Sequence, residues 1–367
     1  MAIREAVYRW RTFSPVRFQR AVSGAPVADA PDLDDRGFRD DEHGPVVGVS
    51  AGDTVRVALR RAALDNSSNV FVTSTNTGVV TVAAPAGGRL PAGDRAEFRI
   101  QGAAGGTAVR SARIEARFGS ASGPVLGALT VWVLPILRVR ITPHLVTIRD
   151  AAGGSRGSIA NVNTIMTMAQ AIWRPCGVQW TVGTVRNEDV TYQTAGIARD
   201  EPFTTANAFR NTEIAQLLNT NWVTNTINVY FVHRIGTGVT LGYGFRRSDV
   251  GRWQVPNPGI IVADTNSNGF VRDTQNWAGT SAHEVGHFLG LEHAGDRPPA
   301  SALDDQWGHR MLMYNFALLS AGDRFQDVGY GNGRRGNLIT MKDLPQIALD
   351  AECGISRNTV SRPSGPY

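Results

Sequence analysis

HEVGHFLGLEH, residues 283–293, is the stretch on which the reading of this chain turns. On an α-helix, positions four apart share one face. His283 and His287 therefore present two imidazoles in one direction, at the spacing that holds a single metal ion. Glu284 lies beside His283, within reach of a water on that metal. Gly290 follows, and a residue without a Cβ enters the left-handed conformation cheaply. The spacing predicts a helix that stops there, so that the chain swings His293 round as a third ligand. Three histidines leave a fourth position for water, as a catalytic zinc requires. The alternative, a histidine-bearing helix with no metal, is set aside by the five fixed positions of HExxHxxGxxH. His233 and His309 lie outside the pattern and are read as structural.

Working outward, the segment 136–355 reads as α/β (α+β). LRVRITPHLVTI (137–148), VQWTVGTV (178–185), TINVYFVHRI (226–235), VTLGYGF (239–245) and GIIVAD (259–264) are apolar or alternating runs of strand length. IANVNTIMTMAQAIWRP (159–175) reads as a helix ended by Pro175 and Gly177, and ANAFRNTEIAQLLNT (206–220) as another. A last helix is expected over 338–353. Just before the histidine helix, Asp264, Asn266 and Asn268 place oxygens at positions 1, 3 and 5 of a calcium-loop pattern, with Gly269 at position 6. Asp273 would add a further oxygen. Position 12 is Gln275 rather than Glu, so an Asn/Gly-rich surface turn is the first reading and Ca2+ the second.

Residues 46–135 read as all-β. TVRVALR (54–60), NVFVTST (69–75), GVVTVAA (78–84), AEFRIQG (96–102), SARIEARF (111–118) and GALTVWVLP (127–135) are separated by Gly, Pro, Asn and Asp turns. That spacing fits a β-sandwich, similar in pattern to immunoglobulin-like modules. No catalytic constellation falls in it, and it is expected to act as a spacer or to dock to a surface or partner protein. Residues 1–45 read as an irregular segment with an acidic patch at 29–43, and 356–367 as a loose tail.

The 367 residues suit two domains, and 42% hydrophobic residues supply real cores. No apolar run reaches bilayer length. The net charge of +5 comes almost wholly from scattered arginines, with Lys342 the single lysine. With no basic run and no recognition motif, nucleic acid is excluded as the expected partner. Cys176 and Cys353 are compatible with one disulfide or two thiols. The start MAIREAVYRWRTFSP lacks an apolar stretch and a cleavage site. Secretion or delivery by a leaderless route is expected, with a cytoplasmic location as the alternative.

HExxHxxGxxH resembles the metzincin clan of zinc peptidases. That clan has a methionine turn beneath the metal, and RMLMYN (310–315) is similar to the matrixin-like form, which assigns Met313 with Met311 as the fallback. The resemblance implies a catalytic domain over 136–355, one catalytic Zn2+ held by His283, His287 and His293, and Glu284 as general base and acid. It also implies an edge strand at 241–245 whose Leu241, Gly242 and Tyr243 pair with a peptide or protein substrate. Tyr314 follows Met313 directly, which does not match the tyrosine ligand of some members. No cysteine precedes the domain, so the thiol latch of matrixins is absent, and an aspartate of the 29–43 patch is the candidate replacement. The expected fold class is thus multidomain: an N-terminal all-β, immunoglobulin-like sandwich followed by an α/β (α+β) metzincin-like zinc peptidase domain. The expected function is zinc-dependent endopeptidase. The alternatives are a toxin-like effector with a narrow target, a cell-wall peptide amidase and a non-catalytic zinc-containing binding protein.

Overall fold

The computed structural model describes residues 15–20, 38–41, 44–148, 159–174, 177–190, 213–232, 235, 241–247, 250, 255–263 and 274–291. They form two compact units. One comprises the described residues up to Ile136 together with Arg174 and Gly177, the other the remainder from Leu137 onward.

The first unit is built from nine strands: β1 (Arg17–Arg20), β2 (Phe38–Asp41), β3 (Gly44–Ser50), β4 (Thr54–Arg60), β5 (Val70–Ser74), β6 (Val80–Ala84), β7 (Arg95–Gly102), β8 (Arg110–Phe118) and β9 (Val125–Leu134). Alternation decides which face of each strand is buried. In β7, Ala96, Phe98 and Ile100 point inward while Glu97, Arg99 and Gln101 face solvent. β8 turns Ala112, Ile114 and Ala116 inward, and β9 turns Leu129, Val131 and Val133 inward. A four-stranded sheet, β1-β4-β7-β6, and a five-stranded sheet, β2-β3-β9-β8-β5, share this core. Phe18 of β1 meets Phe98 edge to face, with centroids 6.1 Å apart.

The second unit contains β10 (Leu137–Ile148), β11 (Val178–Val182), β12 (Arg186–Val190), β13 (Ile227–Val232), β14 (Gly242–Phe245) and β15 (Gly259–Ala263), with helices α1 (Ile159–Trp173), α2 (Glu213–Asn219) and α3 (Thr274–Phe288). The sheet order is β11-β10-β13-β15-β14, and β12 pairs the far half of β10. All pairs are parallel except β14 with β15. Every residue of β13 and β15 is buried, as expected of central strands covered on both faces. Tyr230, Val232, Ile261 and Ala263 pack with Ile214, Leu217 and Leu218 of α2. On the opposite face Phe231 meets Trp277 of α3 edge to face at 5.3 Å. Val162, Ile165, Met166, Ala169 and Trp173 form the buried stripe of α1, at the spacing of one helical face. The Trp173 indole N–H donates to the carbonyl of Ala282 in α3 at 3.1 Å.

The expected fold class is corrected. Among the described residues strand exceeds helix by 46% to 21%, which is the balance of a β-rich fold with three sheets rather than of an α/β metzincin-like domain behind an immunoglobulin-like module. Two features account for the shift. Strands β1 and β2 arise within 1–45, expected to be irregular, and β3 pairs parallel to β9, joining segments far apart in sequence. The polar run RNEDV forms β12. Of the helix expected over 206–220, residues 213–219 form α2, and 206–212 lie outside the described residues. The helix expected over 338–353, the tail and both cysteines lie outside the described residues, as does the acidic patch apart from residues 38–41, which form β2. Among the described residues no helix is long and apolar enough to cross a membrane.

Candidate metal centre on helix α3

Helix α3 carries the first half of the histidine pattern and seats it on the sheet. Trp277, Ala278, Ala282, Val285 and Phe288 are buried, and so are Thr280 and Ser281. His283 is 1% exposed and Glu284 2%, so these two polar side chains lie in the interior. Burying polar groups is costly unless they have partners, and both have partners here. The rings of His283 and His287 stand 4.7 Å apart, almost perpendicular. The helical repeat therefore brings the two imidazoles together as the sequence spacing requires.

The end of the helix is a Schellman turn. Gly290 has φ +95°. Its N–H donates to the His287 carbonyl at 3.0 Å, and the Leu291 N–H donates to the Gly286 carbonyl at 2.9 Å, the paired 5→2 and 6→1 bonds of that cap. The turn also brings the Leu291 carbonyl to His287 Nδ1 at 2.8 Å. A carbonyl only accepts, so Nδ1 carries the proton and the ring's lone pair sits on Nε2. This is the tautomer a metal-binding histidine needs, oriented by a backbone carbonyl as is usual for such ligands. His287 lies in the last turn, where the exposed carbonyl ends of the helix dipole favour a cation. His283 and His287 thus fit zinc by ligand type, by mutual approach and, for His287, by tautomer.

The strand that faces this helix is β14. Alternation sends Tyr243 and Phe245 towards the α2 side, where they join that core, and turns Gly242 and Gly244 towards α3. A Cβ built on Gly244 would lie 2.7 Å from the Glu284 carbonyl oxygen and 2.9 Å from His287 Cβ. A Cβ on Gly242 would lie 2.6 Å from both Glu284 Cγ and Oε1. Glycine at both positions lets the helix rest directly on the strand. β14 is the last strand in the sheet order, and the Leu241 carbonyl accepts the Ala263 N–H at 2.9 Å. Of Leu241, Gly242 and Tyr243, it is Gly242 that lies against the Glu284 side chain.

The remaining predicted residues are not brought into view. His293, Met313, Met311 and Tyr314, and the calcium candidates Asp264, Asn266, Asn268 and Asp273, lie outside the described residues. Among the described residues no group of three or more His, Cys, Asp and Glu side chains could hold a metal ion.

A second polar cluster escaped the sequence reading. His144 of β10 is fully buried, with Glu188 of β12 and Asn228 of β13. The Asn228 side-chain N–H donates to the Val223 carbonyl at 2.9 Å, and its Oδ1 accepts the Val223 N–H at 3.0 Å. That fixes the amide, so His144 Nε2, 3.0 Å from Oδ1, is a donor. Nδ1 lies 2.6 Å from Glu188 Oε1, with one proton between them. Asn221 donates to the other carboxylate oxygen. Tyr230 stacks on the imidazole at 4.4 Å, and its hydroxyl donates to the Thr220 carbonyl at 2.8 Å. Burial first, and then the Glu188 charge, raise the Tyr230 hydroxyl above the ordinary tyrosine range, with Arg186 opposing. Every hydrogen-bonding position described here is filled from within the protein, which is the signature of a structural lock. The signal that would have found it is a histidine inside an apolar strand, beside a polar run of strand length.

No family model matches the chain, and no curated protein matches it. Among solved structures, a C. elegans MSP family member is similar at 16% identity over 24% of this chain and 88% of its own, with a TM-score of 0.18. A sialyltransferase from Photobacterium damsela is similar at 11% identity over 52% of this chain, with the match spanning 42% of its own length, again at a TM-score of 0.18. Likeness at that level carries no argument about fold or activity, and the functional reading rests on the residues of α3.

Proposed function

We propose that this protein is a zinc-dependent endopeptidase, with the metzincin-like ligand sequence of residues 283–293. The observation that carries the reading is the joint placement of His283, Glu284 and His287 on α3, which ends in a left-handed turn at Gly290 with φ +95°. His283, His287 and His293 would hold one zinc ion. When bound, zinc supplies a lowered pKa for water and polarises the carbonyl of the scissile bond.

The chain's own residues supply the rest. Glu284 takes a proton from the attacking water and returns it to the leaving amine nitrogen. Its burial keeps bulk water from competing for that proton. The Leu291 carbonyl holds the His287 ring in its working tautomer. A substrate laid beside β14 in extended form would extend the sheet by one strand, with Leu241, Gly242 and Tyr243 fixing its register. Met313 is assigned to the turn beneath the metal by the same resemblance. A purely structural metal site has no need of Glu284, so the carboxylate favours an enzyme over a binding protein.

The test uses the full chain. Zinc per chain is quantified, and cleavage of casein and of a mixed peptide library is followed for wild type and Glu284→Gln. One zinc in both proteins, cleavage by wild type alone and loss of cleavage with a chelator are expected. Equal cleavage by Glu284→Gln would overturn the mechanism, and zinc-free wild-type protein would overturn the reading altogether.

A further inference from the structure

The two glycines of β14 are not equivalent. At Gly244 the close approach is to backbone and to a Cβ: the Glu284 carbonyl oxygen at 2.7 Å and His287 Cβ at 2.9 Å. That contact seats the helix. At Gly242 the three nearest atoms all belong to the Glu284 side chain, with a built Cβ meeting Cγ at 2.6 Å, Oε1 at 2.6 Å and Cδ at 2.8 Å. That contact seats the carboxylate. Buried side chains are held by the atoms around them, and on this side of Glu284 the boundary is the bare backbone of residue 242.

We infer that Gly242 is a positioning residue: its missing side chain forms the seat that fixes the carboxylate of Glu284. The inference rests on the proposed peptidase reading for its functional consequence and on packing alone for its structural one. The geometry sets the size of the effect. Non-bonded carbons settle at about 3.5–4.0 Å, so a methyl group at 242 drives the carboxylate back by about 1 Å. Strand alternation keeps the displacement local, because the 242 N–H and C=O lie in the plane of the sheet and are unaffected by a Cβ directed at α3. A displacement of that size at a reacting group costs on the order of 10²-fold in rate. Substrate pairing along β14 uses the backbone and is left intact. The signature is therefore a fall in kcat with KM unchanged, whereas a general loosening of the strand would move KM as well.

The experiment is a two-by-two set in the full chain: wild type, Gly242→Ala, Glu284→Ala and the double variant. The first readout is kinetic. Gly242→Ala is expected to bind zinc as wild type does, to lose about 10²-fold in kcat and to hold KM. The second readout needs no activity. Gly242→Ala should lower the melting temperature by about 4 °C when Glu284 is present, and by much less in the Glu284→Ala background, where Cγ, Cδ and Oε1 are gone. An equal loss in both backgrounds, including failure of both Gly242→Ala proteins to fold, would overturn the inference, since the Cβ would then be meeting something other than Glu284. So would wild-type kcat in Gly242→Ala. A wild-type protein that cleaves nothing would count against the peptidase reading, while the thermal set would still decide whether Gly242 seats the carboxylate.

Discussion

Replacing Gly290 by alanine tests how the local backbone sets the proposed metal site. At φ +95° an L-residue with a Cβ meets the following carbonyl, at a cost of about 1–2 kcal/mol. The protein can accept that strain or lose the turn. Losing it releases the bonds at 3.0 Å and 2.9 Å that cap the His287 and Gly286 carbonyls, and withdraws the Leu291 carbonyl that lies 2.8 Å from His287 Nδ1. Loss of a partner that orients a metal-binding histidine weakens metal affinity by about 10–100-fold. Gly290→Ala is therefore expected to lower stability by about 1–2 kcal/mol in urea unfolding of the zinc-free protein. Zinc affinity, read by competition with a chromophoric chelator, should fall by at least about 10-fold. Gly290→Asn should be milder on both counts, because Asn enters the left-handed region more readily. Unchanged stability together with unchanged zinc affinity in Gly290→Ala would refute the argument that this turn shapes the site.

Two predictions concern the buried polar cluster. His144→Ala leaves the Glu188 carboxylate buried without its imidazole partner and should cost about 3–5 kcal/mol by denaturant unfolding; a loss below about 1 kcal/mol would show that the pair contributes little. Tyr230 governs the alkaline limb. Its raised folded-state pKa means that above the ordinary tyrosine value of about 10 the unfolded chain has lost a proton the folded chain keeps. Stability is then full below about pH 10 and falls by about 1.4 kcal/mol per pH unit above it, until the folded-state hydroxyl itself ionises. Tyr230→Phe should flatten that limb by the same slope while losing the bond to the Thr220 carbonyl, and an unaltered limb would place the titration elsewhere.

The contrast between β13 and β12 explains what sequence alone conveys about this protein. INVYFV announces a central strand because burial on both faces demands apolar side chains at every position, and that demand is written locally. RNEDV announces nothing. Its Glu188 is interior only because His144, 44 residues earlier, and Asn221, 33 residues later, supply its hydrogen bonds. A polar residue whose partners lie that far away in sequence is locally indistinguishable from a surface residue. The parallel pairing of β3 with β9 was hidden for the same reason, and such non-local pairings add strand to a chain expected as an all-β, immunoglobulin-like sandwich followed by an α/β (α+β) domain.

The candidate site divides along the same line. His283, Glu284, His287 and Gly290 were legible because a helical turn and its cap are local, and three- and four-residue spacings fix which side chains share a face. Gly242 was legible only as part of an edge strand. Its contact with Glu284 crosses from strand to helix, and a glycine carries no pattern of its own. Local spacing therefore singles out the group proposed to do the chemistry, while the atoms that hold that group in place are chosen by packing across the fold. It follows that substitution of His283 or His287 should abolish zinc binding together with cleavage, whereas Gly242→Ala on the strand that faces them should lower cleavage and spare zinc. Such an effect from a residue outside α3 would have no cause if the site were built from α3 alone.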